Sequence, residues 1–240
     1  MNFQTIAGVV ALLLVVAGGW WLWSNRAPQE AGTQQTQHVA ASQYKDEGAY
    51  HDIEVDYPEA SAKARVVMEQ HMGSLVAEFK ANAQLDALTP EDIEIQGLGG
   101  DRKYTLKAEV KAFVSGETRS YLYAVYEDML GAHPNGYYKT FVFDAEGSEV
   151  ELGTVLASNP NWLEELSLLV SNDVSAQYRA RTGVDDLTGL LYPEGLSARM
   201  ENFQNWYLDQ ATLVIMIPPY QVAAYAVGSF EVRIPLSDLK

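Results

Sequence analysis

YTLKAEVKAFVSGETRSYLYAVYEDM, residues Tyr104 to Met129, alternates apolar and mostly polar side chains, breaks at Ser115-Gly116-Glu117, and then returns as a second apolar run. Period-two alternation is the mark of a half-buried strand, and a glycine in a short polar break lets the backbone reverse, so the stretch predicts a β-hairpin. Downstream, the loop Gly131-Ala132-His133-Pro134-Asn135-Gly136 leads to an aromatic strand over Tyr137 to Asp144. Ala145 to Ser148 then turns the chain into a further strand over Glu149 to Leu152. Upstream, Ile53, Val55 and Tyr57 alternate with acids until Pro58. From Ser61 to about Leu85, the residues Ala64, Met68, Met72, Leu75, Phe79 and Ala83 recur three to four apart, a helix with one apolar stripe. Ile93 and Ile95, set between Thr89-Pro90-Glu91-Asp92 and a glycine-rich break, predict a short strand.

The C-terminal half continues the pattern. Asn159 can cap a helix with Pro160 at its first position, where no amide partner is needed. Trp162, Leu166, Leu169, Val170, Val174 and Tyr178 give that helix an apolar face, and Arg179, Arg181 and Gly183 suit its C-terminal end. After an irregular stretch from Val184 to Gly195 comes a short segment, Ser197 to Trp206, and then strands over Thr212 to Ile217 and Ser229 to Pro235. The fold class is therefore α+β: antiparallel sheets with two main helices packed on them, preceded by one transmembrane helix. Four regions are expected: an anchor over 1–25, a flexible stalk over 26–49, and α+β subdomains over 50–128 and 129–240.

The anchor is expected because residues 1–25 contain no Asp, Glu, Lys or Arg, and Thr5 to Trp23 is a 19-residue run of apolar and small residues. At about 1.5 Å per residue such a run crosses a hydrocarbon core of about 30 Å. Trp20, Trp21 and Trp23 sit where indoles favour the headgroup layer, with Arg26 beside them. A cleaved signal peptide fits less well, for want of a charged leading region and a small-residue cleavage motif. The next stretch, Ala27 to Gly48, holds no Ile, Leu, Phe, Met or Trp and reads as a tether. Its stalk-like character favours a cytoplasmic N-terminus and an extracytoplasmic C-terminal domain, although Arg26 alone would argue the reverse.

The chain has 240 residues, with 32 acidic against 16 basic residues, a formal net charge of −16, and no cysteine. That balance speaks against nucleic acid as a partner, and the missing thiols exclude disulfides and zinc–thiolate sites. The histidines His38, His51, His71 and His133 are scattered, with no metal-ligand spacing. Asp185-Asp186 and Glu164-Glu165 are neighbours that point different ways, and no nucleophile stands with a base. No enzyme activity, no cofactor and no metal are expected.

Gly131 to Asp144 (GAHPNGYYKTFVFD), Pro218 to Gly228 (PPYQVAAYAVG) and Glu231 to Pro235 (EVRIP) resemble the RsiV-like extracytoplasmic domain. That domain is the lysozyme-sensing part of a membrane-bound anti-sigma factor, and a related region precedes the catalytic domain of a peptidoglycan deacetylase. The resemblance covers about Tyr50 to Lys240. It departs at Gln221 and Ala224, where the family commonly has Glu and Pro. It implies that Pro218 and Tyr220 enter a lysozyme's cleft. Only four residues precede Thr5, so no anti-sigma segment is expected.

Two loops are thus the candidate partner-binding elements: His133 with Asn135, and Pro218, Pro219 and Tyr220. A residue before proline is held extended, which aims the His133 imidazole; the bland alternative is a turn bonding its own backbone. Tyr220 either offers contact area on a stiff loop or staples that loop to the sheet, and Tyr225 reads as packing. The function expected is a membrane-anchored extracytoplasmic binding module for a cell-wall-active basic protein such as lysozyme. The alternative is a module that binds peptidoglycan through its tyrosines.

Overall fold

A computed structural model describes residues 40–239. The expected anchor, with Trp20, Trp21, Trp23 and Arg26, lies outside the described residues; among those described, no helix is long and apolar enough to cross a membrane. The described residues build an α+β fold of two sheets and four α-helices.

The hairpin at the centre forms as its alternation predicts, with β3 (Tyr104–Ser115) and β4 (Thr118–Asp128) joined by Gly116-Glu117. Ser115 pairs with Thr118, and Gly116 has φ +58°, a conformation that costs glycine little. Leu106, Ala108 and Val110 on β3 share a buried face with Tyr121, Tyr123 and Val125 on β4. β5 (Asn135–Phe143) pairs antiparallel with β4 and adds Phe141 and Phe143 to that face.

Onto this face packs α1 (Ala62–Asn82), capped where the Ser61 hydroxyl accepts from the Ala64 amide at 3.3 Å. Its buried stripe is Ala64, Met68, Met72, Val76 and Phe79. β2 (His51–Pro58) precedes the helix and contributes Ile53 and Val55. Because that helix connects β2 to β3 as a crossover, the two strands run parallel, an exception to the expected antiparallel pairing.

Several local expectations are corrected. Ala40–Glu47, which composition assigns to the tether, is strand β1, antiparallel to β2. Its side chains from Ala41 to Lys45 are exposed, so it lacks an apolar alternation and is held by ladder hydrogen bonds and end clamps. One clamp is Asp46, whose carboxylate accepts from Lys80 and faces His51 Nε2 at 3.1 Å. These bonds hold the carboxyl down at about 2. Ile93 and Ile95 lie on helix α2 (Pro90–Gln96), not a strand. Thr89 and Asp92 close a capping box there, with Pro90 in the first turn. Glu149 makes one isolated bridge to Phe143, and Leu152–Val155 turns into the short α3 instead of extending a strand. The large sheet has the strand order β1-β2-β3-β4-β5.

The second sheet, β6-β7-β8, is antiparallel and comprises Trp206–Asp209, Thr212–Ile217 and Phe230–Pro235. It covers the other face of the large sheet, where Phe113 stacks on Tyr207 at 4.2 Å between ring centroids. The Leu208 amide donates to the buried Ser120 hydroxyl at 3.1 Å. Leu213 to Ile217 are all buried, as befits a central strand covered on both faces. The far side is closed by α4 (Trp162–Thr182) through Leu166, Val170, Val174 and Tyr178. Each such side chain contributes about 1.5–3 kcal/mol of burial. Asn159 is not the cap and Pro160 is not the first helical residue: Asn161 stands at the cap position, and the Asn159 side-chain oxygen accepts from the Asn161 amide at 2.9 Å in a turn that leads directly into the helix.

Candidate functional site

The β4–β5 loop and the β7–β8 loop meet at one place, although they are far apart in the chain. His133 stacks on Tyr225 with ring centroids 4.0 Å apart and planes 18° apart. Its Nδ1 lies 2.9 Å from the Pro134 carbonyl oxygen, and its Nε2 lies 2.9 Å from the Tyr220 hydroxyl. A carbonyl only accepts, so Nδ1 carries the proton; in the neutral ring Nε2 is then the acceptor and the Tyr220 hydroxyl donates to it. The Tyr225 hydroxyl donates to the same Pro134 carbonyl at 2.9 Å. Pro134 thus fixes both the imidazole and the phenol that stacks on it.

Tyr220 is 53% exposed and has φ +70°. A left-handed conformation at a residue with a bulky side chain costs about 1–3 kcal/mol, and it persists only where the surroundings impose it. Here they do. Gln221, the next residue, donates from its amide nitrogen to the carbonyls of Gly195 at 3.0 Å and Asn202 at 2.9 Å. The Tyr192 amide donates to the Val222 carbonyl at 2.8 Å, and Val222 and Ala223 are buried. On the far side, Arg181 donates to the carbonyls of Val227 at 3.2 Å and Ser229 at 2.6 Å, fixing the return into β8. A Glu at 221 would have no proton to offer either carbonyl when ionised.

Of the expected residues, His133 and Tyr220 are joined directly. Pro218 and Pro219 are half-buried in the stem of the loop. Asn135 instead begins β5 opposite Glu127. Tyr225, expected to pack, does so, and the ring it packs against is His133. Burial, with Tyr220 nearby, pushes the Tyr225 phenol up. Tyr126 is raised too, by burial, Asp128 and Tyr225. Both imidazole nitrogens are engaged, so the site offers ring area and hydrogen-bonding edges. Among the described residues, no group of three or more His, Cys, Asp or Glu could hold a metal ion. A cleft of about 570 Å³ beside Ser61, Arg119 and Tyr121 takes in none of the expected residues.

The β7–β8 loop also lies within a recognised segment. Residues 155–237 match DUF3298, a protein family of unknown function. The DUF3298 segment includes α4, the three-stranded sheet, Tyr220 and Tyr225, while His133 lies before it. No curated protein matches the chain. The chain is similar to a crystal structure of a DUF3298 family member from Bacteroides fragilis, with TM-score 0.55 and 16% identity. That similarity covers 84% of this chain and 93% of the other, so the shared fold reaches well beyond the DUF3298 segment. A DUF3298 family protein from Pseudomonas aeruginosa aligns with TM-score 0.42 and 13% identity over 87% of this chain and 93% of that one.

Proposed function

We propose that the chain is a membrane-anchored extracytoplasmic binding module that recognises a basic cell-wall-active protein such as lysozyme. The contact surface is formed by His133, Pro218, Pro219 and Tyr220. The observation that carries this reading is the junction of the two loops: an exposed tyrosine, in a strained backbone, aimed by a hydrogen bond to a histidine 87 residues away. A ring already immobilised loses little entropy on binding, which favours a recognition role over a passive one. The acidic excess, −16 over the chain, would speed and orient the approach of a basic partner. In this reading no bond is made or broken and no cofactor is used.

The test is a titration of the full chain in detergent micelles with purified lysozyme. Binding is expected at low salt and should weaken at least about tenfold as the Debye length shrinks from about 10 to about 3 Å. Absence of binding at low salt would contradict the proposal. Retention by purified cell wall that is indifferent to salt would favour the glycan reading, since stacking on sugars tolerates ions.

A further inference from the structure

We infer that the contact surface extends from the Pro218–Tyr220 loop onto Tyr192 and Met200, and fits a protein partner that presents an apolar prominence ringed by lysine or arginine. This rests on the recognition reading above. Tyr192 is 41% exposed and Met200 44%, beside 53% for Tyr220. Single exposed apolar side chains are ordinary; these belong to segments that are fastened together.

The fastening is direct. Tyr192 bonds through its amide to Val222, two residues after Tyr220, and the Gln221 side chain spans from Gly195 to Asn202, on either side of Met200. The segment bearing Tyr192 and Met200 is itself stiff. Asn202 donates from its side chain to the Glu194 carbonyl at 2.7 Å and the Ser197 carbonyl at 3.0 Å, and Ser167 of α4 donates to the Leu196 carbonyl at 2.5 Å. A tyrosine held this way supplies area at low entropic cost, and a methionine adapts its shape to what it meets. The segment that bears them is acidic: residues 184–203 carry Asp185, Asp186, Glu194 and Glu201 against Arg199 alone. Exposed apolar side chains on an acidic segment complement an apolar knob flanked by basic residues.

The experiment measures lysozyme binding to the full chain in detergent at low salt, with a thermal melt of each variant. Tyr192→Ala and Met200→Ala should each weaken binding by about five- to thirty-fold, the range of an interface residue of moderate to high weight. Met200→Lys, which an exposed position tolerates, should weaken it more by placing a like charge against the basic rim. Val66→Ala, 61% exposed on α1, should bind as the wild type does. Wild-type binding by all the Tyr192 and Met200 variants, with Tyr220→Ala still impaired, overturns the extension and leaves the loop reading standing. No binding by the wild type overturns both.

Discussion

Gly195→Ala is expected to lower the melting temperature by about 6–12 °C, on about 3 kcal/mol lost and the usual 2–4 °C per kcal/mol for a domain of this size. Gly195 is buried, and a methyl group there would sit 2.0 Å from the backbone oxygen of Gln221. Backbone does not step aside as a side-chain tip can. The Pro193–Leu196 turn must then separate from the β7–β8 loop, which breaks the bonds from Gln221 to Gly195 and from Tyr192 to Val222. Each is worth about 1 kcal/mol, and their loss adds to the strain of overpacking. Tyr220 would also lose the clamp that imposes its backbone, so binding should fall with stability. Gly73→Ala is the contrast. Gly73 lies inside α1 with nothing within 4 Å of the added methyl, so the substitution should stabilise by about 0.5–1 kcal/mol. A Gly195→Ala protein that melts with the wild type would refute the close approach on which the loop's rigidity depends.

Tyr220→Ala should weaken lysozyme binding by about thirty- to a thousand-fold while moving the melting temperature little, as for an exposed anchor whose loss costs about 2–4 kcal/mol of binding alone. Tyr220→Gly separates the ring from the backbone. It relieves the positive φ and should be at least as stable as the alanine variant, yet bind equally poorly. Tyr220→Phe keeps the ring and loses the hydrogen bond to His133, so it should show an intermediate loss if that bond aims the ring. The measurements are an isothermal titration and a melt for each variant. A collapse of the fold in Tyr220→Ala would make this residue a staple; wild-type affinity in both the alanine and glycine variants would remove it from the contact surface.

What could be read from the sequence follows from the range of the forces involved. The β3–β4 hairpin was legible because alternation and the Gly116 turn are local. The helices α1 and α4 were legible because their apolar stripes repeat through five turns. β1 was not, since an edge strand with exposed side chains gains its order from pairing with β2, a relation absent from its own composition. Ile93 and Ile95 mimic a strand over three residues, too few to settle a period; the deciding signal was the Thr89–Asp92 capping box. β6 has only four residues, Trp206–Asp209, and became a strand by lying beside β7.

The candidate site divides in the same way. Proline marks both loops as stiff in the sequence, at Pro134 and at Pro218-Pro219. Their meeting depends on how two sheets stack, through contacts such as Phe113 on Tyr207. Tyr225 reads as packing and does pack, but that its partners are His133 and Pro134 in the other loop, the latter 91 residues away, leaves no mark in the sequence. The role of Gln221 needed the positions of two carbonyls that no sequence pattern records.

Hydrogen exchange of the full chain, with and without saturating lysozyme, tests the central claim most directly. Slowed exchange concentrated in residues 131–136 and 218–228, and in 192–202 if the surface extends there, with α1 and its face of the large sheet unchanged, is the result this account predicts. Protection confined to other surfaces, or identical exchange with and without the enzyme, would contradict it.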